Sequence, residues 1–354
     1  MSTLPPHPPS APPSALPAAL PAPTHTPLRG GTALRWGILA PGVIADAWTT
    51  TVHANTDQRV VAVASRDAER AGAFASRHGI PKAYGDYEHL VADPDVDVVY
   101  IAPPHTEHKR LALLAIAAGK HVLVEKPLAT SEADAREIFD AATAANVFAM
   151  EAMWTRFLPQ TTIIRRLLDD GVLGALRLAA ADFGEVFGYD PTSRAFDPAL
   201  GGGALLDIGI YSLWWTTFAL GTPTTAVVRG SLAPTGVEEQ ATIVTQHAPA
   251  ALGIATSSMM ASTPNLASVT GELARIEVAR PFWEPGSFRL TAGHDQLTFT
   301  DPSTLRGRDG LAYQATAVAA HIAAGLLQAP EHPHTRTLEV LRVIDAARRE
   351  LGSA

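Results

Sequence analysis

The stretch His121-Val122-Leu123-Val124-Glu125-Lys126-Pro127 decides the fold of this 354-residue chain. Val122–Val124 is short, apolar and β-branched at both ends, and Gly119 precedes it, which favours a buried strand over a helix. Pro127 has no backbone N–H to offer a sheet, so the strand ends before it. Lys126 is therefore expected at the carboxyl end of a strand, where open α/β sheets bind ligands. The alternative is a solvated lysine at a strand end.

The composition is that of a globular enzyme, with 47% hydrophobic and 18% charged residues. The net charge is −8 without a basic block, which makes nucleic acid and anionic membranes poor partners. The chain has no cysteine, so disulfides, thiolate catalysis and cysteine metal sites are excluded. No apolar run approaches the ~20 residues of a membrane span. We expect a cytoplasmic protein that acts on a small molecule.

Residues 1–32 are expected to form a disordered, proline-rich tail. Ten of the 28 prolines lie between Pro5 and Pro27, and the segment has no acidic residue and one arginine. Such a segment has too little apolar surface to build a core. It is also a poor secretory signal, because no basic region precedes its weakly apolar run and prolines interrupt that run.

Residues 33–153 are predicted to form a Rossmann domain with a doubly wound parallel sheet. Six short apolar strands alternate with helical segments at the spacing typical of such sheets. The predicted strands are Leu34–Leu39, Arg59–Ser65, a short one at Tyr84, Val96–Ala102, His121–Val124 and Val147–Met153.

Residues 154–354 are predicted to form an α+β domain for substrate binding and dimerisation. After helices at Arg156–Asp170 and Ala204–Leu220, strands follow one another without helices between them, which predicts a large, mostly antiparallel open sheet. These strands are Ala226–Leu232, Glu239–Thr245, Leu252–Ser258, Ala267–Val278 and Ser287–Thr300. Alternating apolar positions such as Val269, Ile276 and Val278 predict a sheet face that needs a cover, hence a homodimer.

The first strand leads into Ala40-Pro41-Gly42-Val43-Ile44-Ala45, which resembles the dinucleotide fingerprint Gly-x-Gly-x-x-Gly/Ala except that Ala40 replaces the first glycine. Gly42 lets the backbone approach a pyrophosphate at the start of a helix. We therefore expect Ala40, Gly42, Val43 and Ile44 to bind the cofactor.

Ser65 and Arg66 follow the second strand, where NAD-binding proteins usually carry Asp or Glu for the ribose 2′-hydroxyl. An arginine accommodates a 2′-phosphate instead, so these residues favour NADP over NAD. The alternative is a serine that caps a helix beside a surface arginine.

Pro103, His105 and His108 follow the fourth strand at the same sheet edge and are expected to line the nicotinamide side of the site, with Glu125 and Lys126. The His-x-x-His spacing invites a metal interpretation, but no third ligand is evident and no metal is expected. His108 also fits a plain role in capping the helix start.

A third run, Gly201-Gly202-Gly203-Ala204-Leu205-Leu206-Asp207-Ile208-Gly209-Ile210-Tyr211, contains a triple glycine that permits a tight turn or close ligand approach. Asp207 and Tyr211 are four residues apart and share a helical face, from which both can point into a cleft. The alternative is a capping aspartate and a core tyrosine.

Together, Glu125-Lys126-Pro127, the Ala40–Ala45 turn and the Gly201–Tyr211 run resemble the glucose-fructose oxidoreductase/inositol dehydrogenase/rhizopine-catabolism (Gfo/Idh/MocA) family over residues 35–350. Glu151–Phe157 and Asp207-x-Gly-x-Tyr211 are most similar to the branch with dimeric dihydrodiol dehydrogenases and NADP-dependent D-xylose dehydrogenases. The resemblance implies that Lys126 is the catalytic lysine, Asp207 orients the substrate and Tyr211 donates the proton. It also places Trp154, Arg156 and Phe157 in the substrate pocket.

These observations predict an NADP-dependent oxidoreductase that transfers a hydride to or from a hydroxyl or carbonyl carbon of a sugar, polyol or trans-diol. We expect Tyr211 to be the general acid/base, with its pKa lowered by the Lys126 ammonium, although Lys126 itself is an alternative proton relay. Two other functions stay open: a sugar–sugar oxidoreductase with tightly bound NADP, and a catalytically silent sugar or dinucleotide sensor.

Overall fold

A computed structural model describes residues 16–353, and a six-stranded parallel sheet lies at the centre of the first domain. Its strands are β1 Arg35–Leu39, β2 Arg59–Ala64, β3 Lys82–Tyr84, β4 Val98–Ile101, β5 His121–Val124 and β6 Ala149–Glu151. They lie in the order β3-β2-β1-β4-β5-β6, with every pair parallel. The predicted doubly wound Rossmann sheet is confirmed.

The connecting helices are α1 Val43–Asn55, α2 Ala68–His78, α3 Tyr87–Ala92, α4 His108–Ala117 and α5 Glu132–Ala144. Ser131 caps α5, because its hydroxyl accepts from the backbone N–H of Asp134. Sequence analysis missed α3, which has six residues and is too short to show a helical period. Its visible signal is Asp86, whose side chain accepts from the backbone N–H of His89 and caps the helix.

The second domain is built on an eight-stranded, mostly antiparallel sheet, which confirms the predicted α+β class. Its strands are β7 Leu176–Gly184, β8 Pro223–Leu232, β9 Glu238–His247, β10 Ala251–Ser258, β11 Ala267–Gly271, β12 Arg275–Val278, β13 Ser287–Ala292 and β14 Asp295–Thr300. Its helices are α6 Pro159–Asp169, α7 Ile210–Leu220, α8 Leu311–Ala323 and α9 His334–Leu351. The sheet order is β14-β13-β12-β11-β7-β10-β9-β8, with β7 and β10 parallel.

Two segments predicted as single long strands are hairpins. The segment Ala267–Val278 turns back after β11, where Gly271 N–H donates to the carbonyl of Ala274. The segment Ser287–Thr300 turns at Gly293, which has a φ of +58°. A glycine adopts this left-handed conformation without a Cβ clash, so it marks the turn that the strand prediction overlooked.

The prediction that Val269, Ile276 and Val278 lie on an open face of the second sheet is wrong. Val269, Ile276 and Val278 are 0%, 0% and 3% exposed and belong to the core of the same chain. The outward face of the sheet is formed by other residues, which pair side by side across four strands. That row contains Val227 on β8, Val244 on β9, Ile254 on β10 and Ala180 on β7. Exposed leucines at positions 178 and 252 pair in the next row.

The expectation of a disordered tail does not hold for residues 16–32; residues 1–15 lie outside the described part of the chain. Leu16, Leu20 and Leu28 are half-buried against the core. Thr24 N–H donates to Thr162 Oγ1 on α6 at 3.1 Å, and Arg29 donates to the carbonyl of Ala54 at the end of α1. The segment packs because a few spaced leucines suffice when two domains supply the opposing surface, which composition does not reveal.

No helix within residues 16–353 is both long enough and apolar enough to cross a membrane.

Deleting residues 2–30 should lower the midpoint of thermal unfolding by roughly 4 °C, because three half-buried leucines lose about 1 kcal/mol of burial each and the unfolding entropy of a chain of this length is about 0.7 kcal/mol per degree. Differential scanning calorimetry measures this midpoint. The substitution Ala18→Ser, at an exposed position of the same segment, is the control and should leave the midpoint unchanged. An unchanged midpoint in the deletion variant would show that these contacts contribute nothing to stability.

Candidate active site

A cleft of about 820 Å³ opens at the carboxyl edge of the first sheet, between that sheet and the second domain. The structure brings together in this cleft most of the residues selected from the sequence. They are Ala40, Gly42, Val43, Ile44, Ser65, Arg66, Pro103, His105, His108, Glu125, Lys126, Trp154, Asp207 and Tyr211. They converge because the carboxyl ends of parallel strands share one edge of the sheet.

The turn after β1 is shaped to accept a pyrophosphate. Ala40 has a φ of +66°, the left-handed region where glycine is favoured, and its N–H donates to the carbonyl of Ala64. Gly42 caps α1, and a Cβ built on it would come no closer than 4.0 Å to another atom, the carbonyl oxygen of Ala102. The helix N-terminus therefore faces open space in which an anion can lie.

Two arginines stand on the rim of the cleft beyond this turn. Neither Arg66 nor Arg70 forms an ion pair with any residue between 16 and 353, and both line the cleft beside Ser65. Arg70 Nε donates to the carbonyl of Pro41 at 3.1 Å, which holds its side chain over the nucleotide turn. Sequence reasoning missed Arg70, which lies in the first turn of α2, three residues after the N-cap Asp67.

Lys126 and Asp207 form a buried ion pair at the base of the cleft. Lys126 Nζ donates to the Asp207 carbonyl oxygen at 2.5 Å and to Oδ1 at 3.2 Å. The other carboxylate oxygen, Oδ2, accepts from Arg194 Nη2 at 2.9 Å. Burial alone would raise the pKa of Asp207, but the Lys126 and Arg194 cations and His105 bring that pKa well below its ordinary value. Asp207 is therefore a carboxylate throughout the neutral range.

Tyr211 lies beside this pair with its hydroxyl in the cleft. Trp154 Nε1 donates to the phenolic oxygen at 2.8 Å, which leaves the hydroxyl hydrogen free to be donated. Lys126 Nζ is 5.1 Å from the centre of the Tyr211 ring. The expectation that Lys126 lowers the pKa of Tyr211 is wrong: burial, followed by the negative charge of Glu125, raises that pKa well above its ordinary value.

The turn that carries Lys126 is supported from behind by buried polar groups. Tyr100 donates a short hydrogen bond to the Glu125 carboxylate. His108 Nδ1 lies 2.7 Å from the Pro127 carbonyl oxygen, and Glu151 Oε1 accepts from the backbone N–H of Leu128 at 2.9 Å. Partners on both sides of Lys126 therefore fix where its ammonium group lies.

Both histidines of the cleft are neutral imidazoles near pH 7. Burial lowers the pKa of His105 to about 3 and that of His108 to about 4. His105 Nδ1 donates to the Gly201 carbonyl at 2.9 Å, so its Nε2 is an acceptor, 3.4 Å from Arg194 Nη1. Neither histidine can supply a proton at neutral pH. Within residues 16–353, no group of three or more His, Asp or Glu is arranged to hold a metal ion.

Aromatic rings form the wall of the cleft on the second domain. Phe183 and Trp283 are stacked with ring centres 3.6 Å apart, and each lies about 6 Å from the Tyr211 ring. Both line the cleft, as does Arg194. Sequence reasoning missed these three residues, because they come from separate loops and strands and carry no local motif.

Two of the residues assigned to the substrate pocket lie elsewhere. Arg156 lines a separate cavity, and Phe157 is 4% exposed in the core and lines neither the cleft nor that cavity. The reason is local: Trp154–Phe157 form a 3₁₀ turn, so neighbouring side chains diverge and only Trp154 faces the cleft. The sequence motif indicated proximity to the site but not the direction of each side chain.

Comparison with known proteins agrees with this arrangement. Residues 34–153 match the oxidoreductase family with an NAD-binding Rossmann fold, and residues 161–277 match the GFO/IDH/MocA C-terminal domain. The chain is 37% identical over 327 residues to trans-1,2-dihydrobenzene-1,2-diol dehydrogenases from Macaca fascicularis and Homo sapiens, covering 90% of this chain and 97% of each relative.

Solved structures with the same fold also resemble the chain in sequence. An aldose-aldose oxidoreductase from Caulobacter crescentus, complexed with glycerol, has a TM-score of 0.81 and 25% identity, with 90% of this chain and 98% of that chain covered. A 3-ketoreductase from Actinomadura kijaniata, in complex with TDP-benzene and NADP, has a TM-score of 0.73 and 28% identity, with 89% and 97% covered. With its NAD(P)-binding Rossmann domain and its dehydrogenase relatives, the chain belongs to the Gfo/Idh/MocA oxidoreductase family.

Proposed function

We propose that this protein is an NADP-dependent dehydrogenase. It oxidises one hydroxyl group of a trans-dihydrodiol, polyol or aldose to a carbonyl group, and it catalyses the reverse reduction. The observation that carries the proposal is the convergence of Lys126, Asp207 and Tyr211 in one cleft with the nucleotide turn at Gly42. The relatives named as trans-dihydrodiol dehydrogenases and the aldose-aldose oxidoreductase support this substrate range. The stacked Phe183–Trp283 pair supports a flat ring, since aromatic faces pack well on cyclic carbon skeletons.

When bound, NADP supplies the group that accepts or donates the hydride. Lys126 then places an ammonium donor beside the substrate oxygen, where it stabilises negative charge. Asp207 holds that ammonium in place and accepts a hydrogen bond from a substrate hydroxyl. Tyr211, protonated at neutral pH, donates its proton to the carbonyl oxygen during reduction. Oxidation of the substrate requires the deprotonated form of Tyr211, because the phenolate accepts the proton of the substrate hydroxyl.

Tyr211→Phe should lower the turnover number roughly 10²–10⁴-fold without changing the dissociation constant of NADP, because it removes only the transferable proton. The assay follows absorbance at the NADPH band with a trans-dihydrodiol and a panel of aldoses. Tyr189→Phe, at an exposed tyrosine, is the matched control and should retain wild-type turnover. No turnover by the wild-type protein on any of these substrates with either coenzyme would overturn the dehydrogenase proposal and favour a silent sensor.

The same assay tests the assignment of Tyr211 as the group that donates the proton. Because burial raises the pKa of Tyr211, the fraction of phenolate grows tenfold per pH unit up to at least pH 10. The rate of oxidation should therefore rise throughout that range, while the rate of reduction should not change near neutral pH. Near-normal turnover in Tyr211→Phe, with loss of turnover in Lys126→Met, would assign the proton transfer to Lys126 instead.

The choice of NADP rests on the two cations at the rim. Arg66 and Arg70 lack carboxylate partners within residues 16–353, and Arg66 follows β2 and Ser65 where NAD-binding proteins usually carry Asp or Glu for the ribose 2′-hydroxyl. A guanidinium binds a phosphate through paired charged hydrogen bonds, so this rim suits a 2′-phosphate.

Arg66→Ala should raise the Michaelis constant for NADP about 10–100-fold and leave that for NAD nearly unchanged, because only NADP carries the 2′-phosphate. Steady-state kinetics with both coenzymes measure the effect. Arg77→Ala is the control, since Arg77 lies at the other end of α2 and pairs with Asp46 outside the cleft. Equal changes for both coenzymes in Arg66→Ala would remove the support for NADP.

A sugar–sugar oxidoreductase that never releases NADP receives no support from residues 16–32. Such an enzyme needs a part of the protein to close over the nucleotide. Residues 16–32 contact α6 and the carboxyl-terminal end of α1, and none of them lines the cleft.

We also propose a homodimer that buries the open face of the second sheet. Val227, Leu252 and Leu178 on that face are 57%, 45% and 37% exposed, and a contiguous apolar patch of this kind is usually covered by a partner. Two-fold symmetry lets the same face cover itself.

Leu252→Glu should convert the dimer to a monomer at micromolar concentration, because it places a charge on the face that the dimer buries. Light scattering after size-exclusion chromatography measures the mass. Gln296→Glu, on the far strand β14 of the same sheet, should remain dimeric. A wild-type protein of monomeric mass would contradict the proposal.

A further inference from the structure

A second cavity, the Arg156 cavity, lies between α6, α7 and the start of α9 and shares no lining residue with the active-site cleft. Its volume of about 420 Å³ is within the range of small-ligand pockets. Its lining includes Arg156, Arg165, Asp169, Phe218, Glu331 and Arg336. The dehydrogenase chemistry uses none of these residues.

Arg156 brings into this cavity a cation that forms no direct ion pair within residues 16–353, although the nearby Glu331 carboxylate favours its charged form. Its side chain is buried, with 7% of the residue exposed. Within residues 16–353 its one hydrogen bond runs from Nε to the Glu331 carbonyl oxygen at 2.7 Å, and Nη1 is enclosed without a partner. Burial lowers the pKa of Arg156 to about 10, so the guanidinium is still charged at neutral pH. An unpaired buried cation is unfavourable and attracts an anion.

A second guanidinium shares the same aromatic ring. The Arg156 and Arg165 side chains lie with their Cζ atoms 5.2 and 5.4 Å from the centre of Phe218. Arg165 Nη2 pairs with Asp169 at 2.8 Å, while its Nε is enclosed without a hydrogen bond. Two like charges held against one ring repel each other, and an anion between them relieves that repulsion.

The acidic groups of the cavity already have partners. Asp169 pairs with Arg165, and Glu331 pairs with His321 at 2.8 Å. Arg336 pairs with Glu339 at 2.7 Å, so the enclosed guanidinium nitrogens of the cavity that lack a hydrogen-bond partner within residues 16–353 belong to Arg156 and Arg165. Trp214, stacked on Phe218 with ring centres 5.0 Å apart, adds apolar surface to the lining.

We propose that the Arg156 cavity binds a small organic monocarboxylate, whose carboxylate lies between Arg156 and Arg165 and whose apolar body packs on Phe218. A planar guanidinium matches a carboxylate in geometry and charge. A monoanion fits better than a phosphate dianion, because a second negative charge would face Asp169 and Glu331. The site does not depend on the dehydrogenase function proposed above, since binding alone defines it.

Isothermal titration calorimetry of the full chain with benzoate, at saturating NADP, tests the proposal. Benzoate should bind with a dissociation constant in the millimolar range or below, while benzamide, which has the same shape without the charge, should not bind. Arg165→Gln should weaken benzoate binding about tenfold or more. Arg166→Gln is the matched control: Arg166 is the next residue of α6, pairs with an aspartate four residues on in the same way, and does not line the cavity.

The proposal is overturned if benzoate does not bind the wild-type protein, or if Arg165→Gln and Arg166→Gln weaken it equally. It is also overturned if inorganic phosphate binds more tightly than benzoate. If Lys126→Met loses benzoate binding while Arg165→Gln retains it, benzoate binds in the active-site cleft, and the proposal of a second site is refuted.

Discussion

The ion pair between Lys126 and Asp207 is the interaction on which the active-site arrangement depends. Lys126 comes from the end of β5 in the first domain, and Asp207 from a π-helical turn just before α7 in the second. Their side chains are 15% and 8% exposed, so the pair is enclosed and its geometry is fixed by hydrogen bonds to the Asp207 carbonyl and carboxylate. Removing either partner would leave a buried charge without compensation.

Burial also determines which groups of the cleft carry protons. The same loss of solvent keeps His105 and His108 neutral and Tyr211 protonated, because in each case the charged form is the one that burial disfavours. Asp207 escapes this trend because two cations contact it. The cleft therefore contains an ionised pair beside a neutral phenol, the distribution that proton donation to a carbonyl oxygen requires.

Three different parts of the second sheet have different roles: one face, the end of β7 and the opposite face. One face packs against α7, which carries Tyr211 at its start, and so positions the proposed acid. The end of β7 places Phe183 in the cleft wall. The opposite face carries the exposed residues Val227, Leu252 and Leu178, which the proposed dimer would bury. Since these surfaces do not overlap, assembly can bury the open face without blocking the cleft.

By itself the sequence determined the parts of the site that follow from local rules. Pro127 ends a strand, so Lys126 had to lie at the carboxyl edge of the sheet, and the turn at Ala40 and Gly42 had to meet it there. The period of apolar residues was enough for the parallel sheet and, in outline, for the antiparallel one.

Only the tertiary structure decided what depends on contact between distant segments. Arg194 and Trp283 reach the cleft from loops with no recognisable motif, and Arg156 turns away from it although its neighbour Trp154 faces it. The pKa of Tyr211 moved opposite to the direction expected from Lys126, because the protonation of a side chain depends on the solvent removed by the whole fold as well as on its nearest charge. Residues 16–32 likewise pack because two domains offer them a surface, and composition contains no record of that surface.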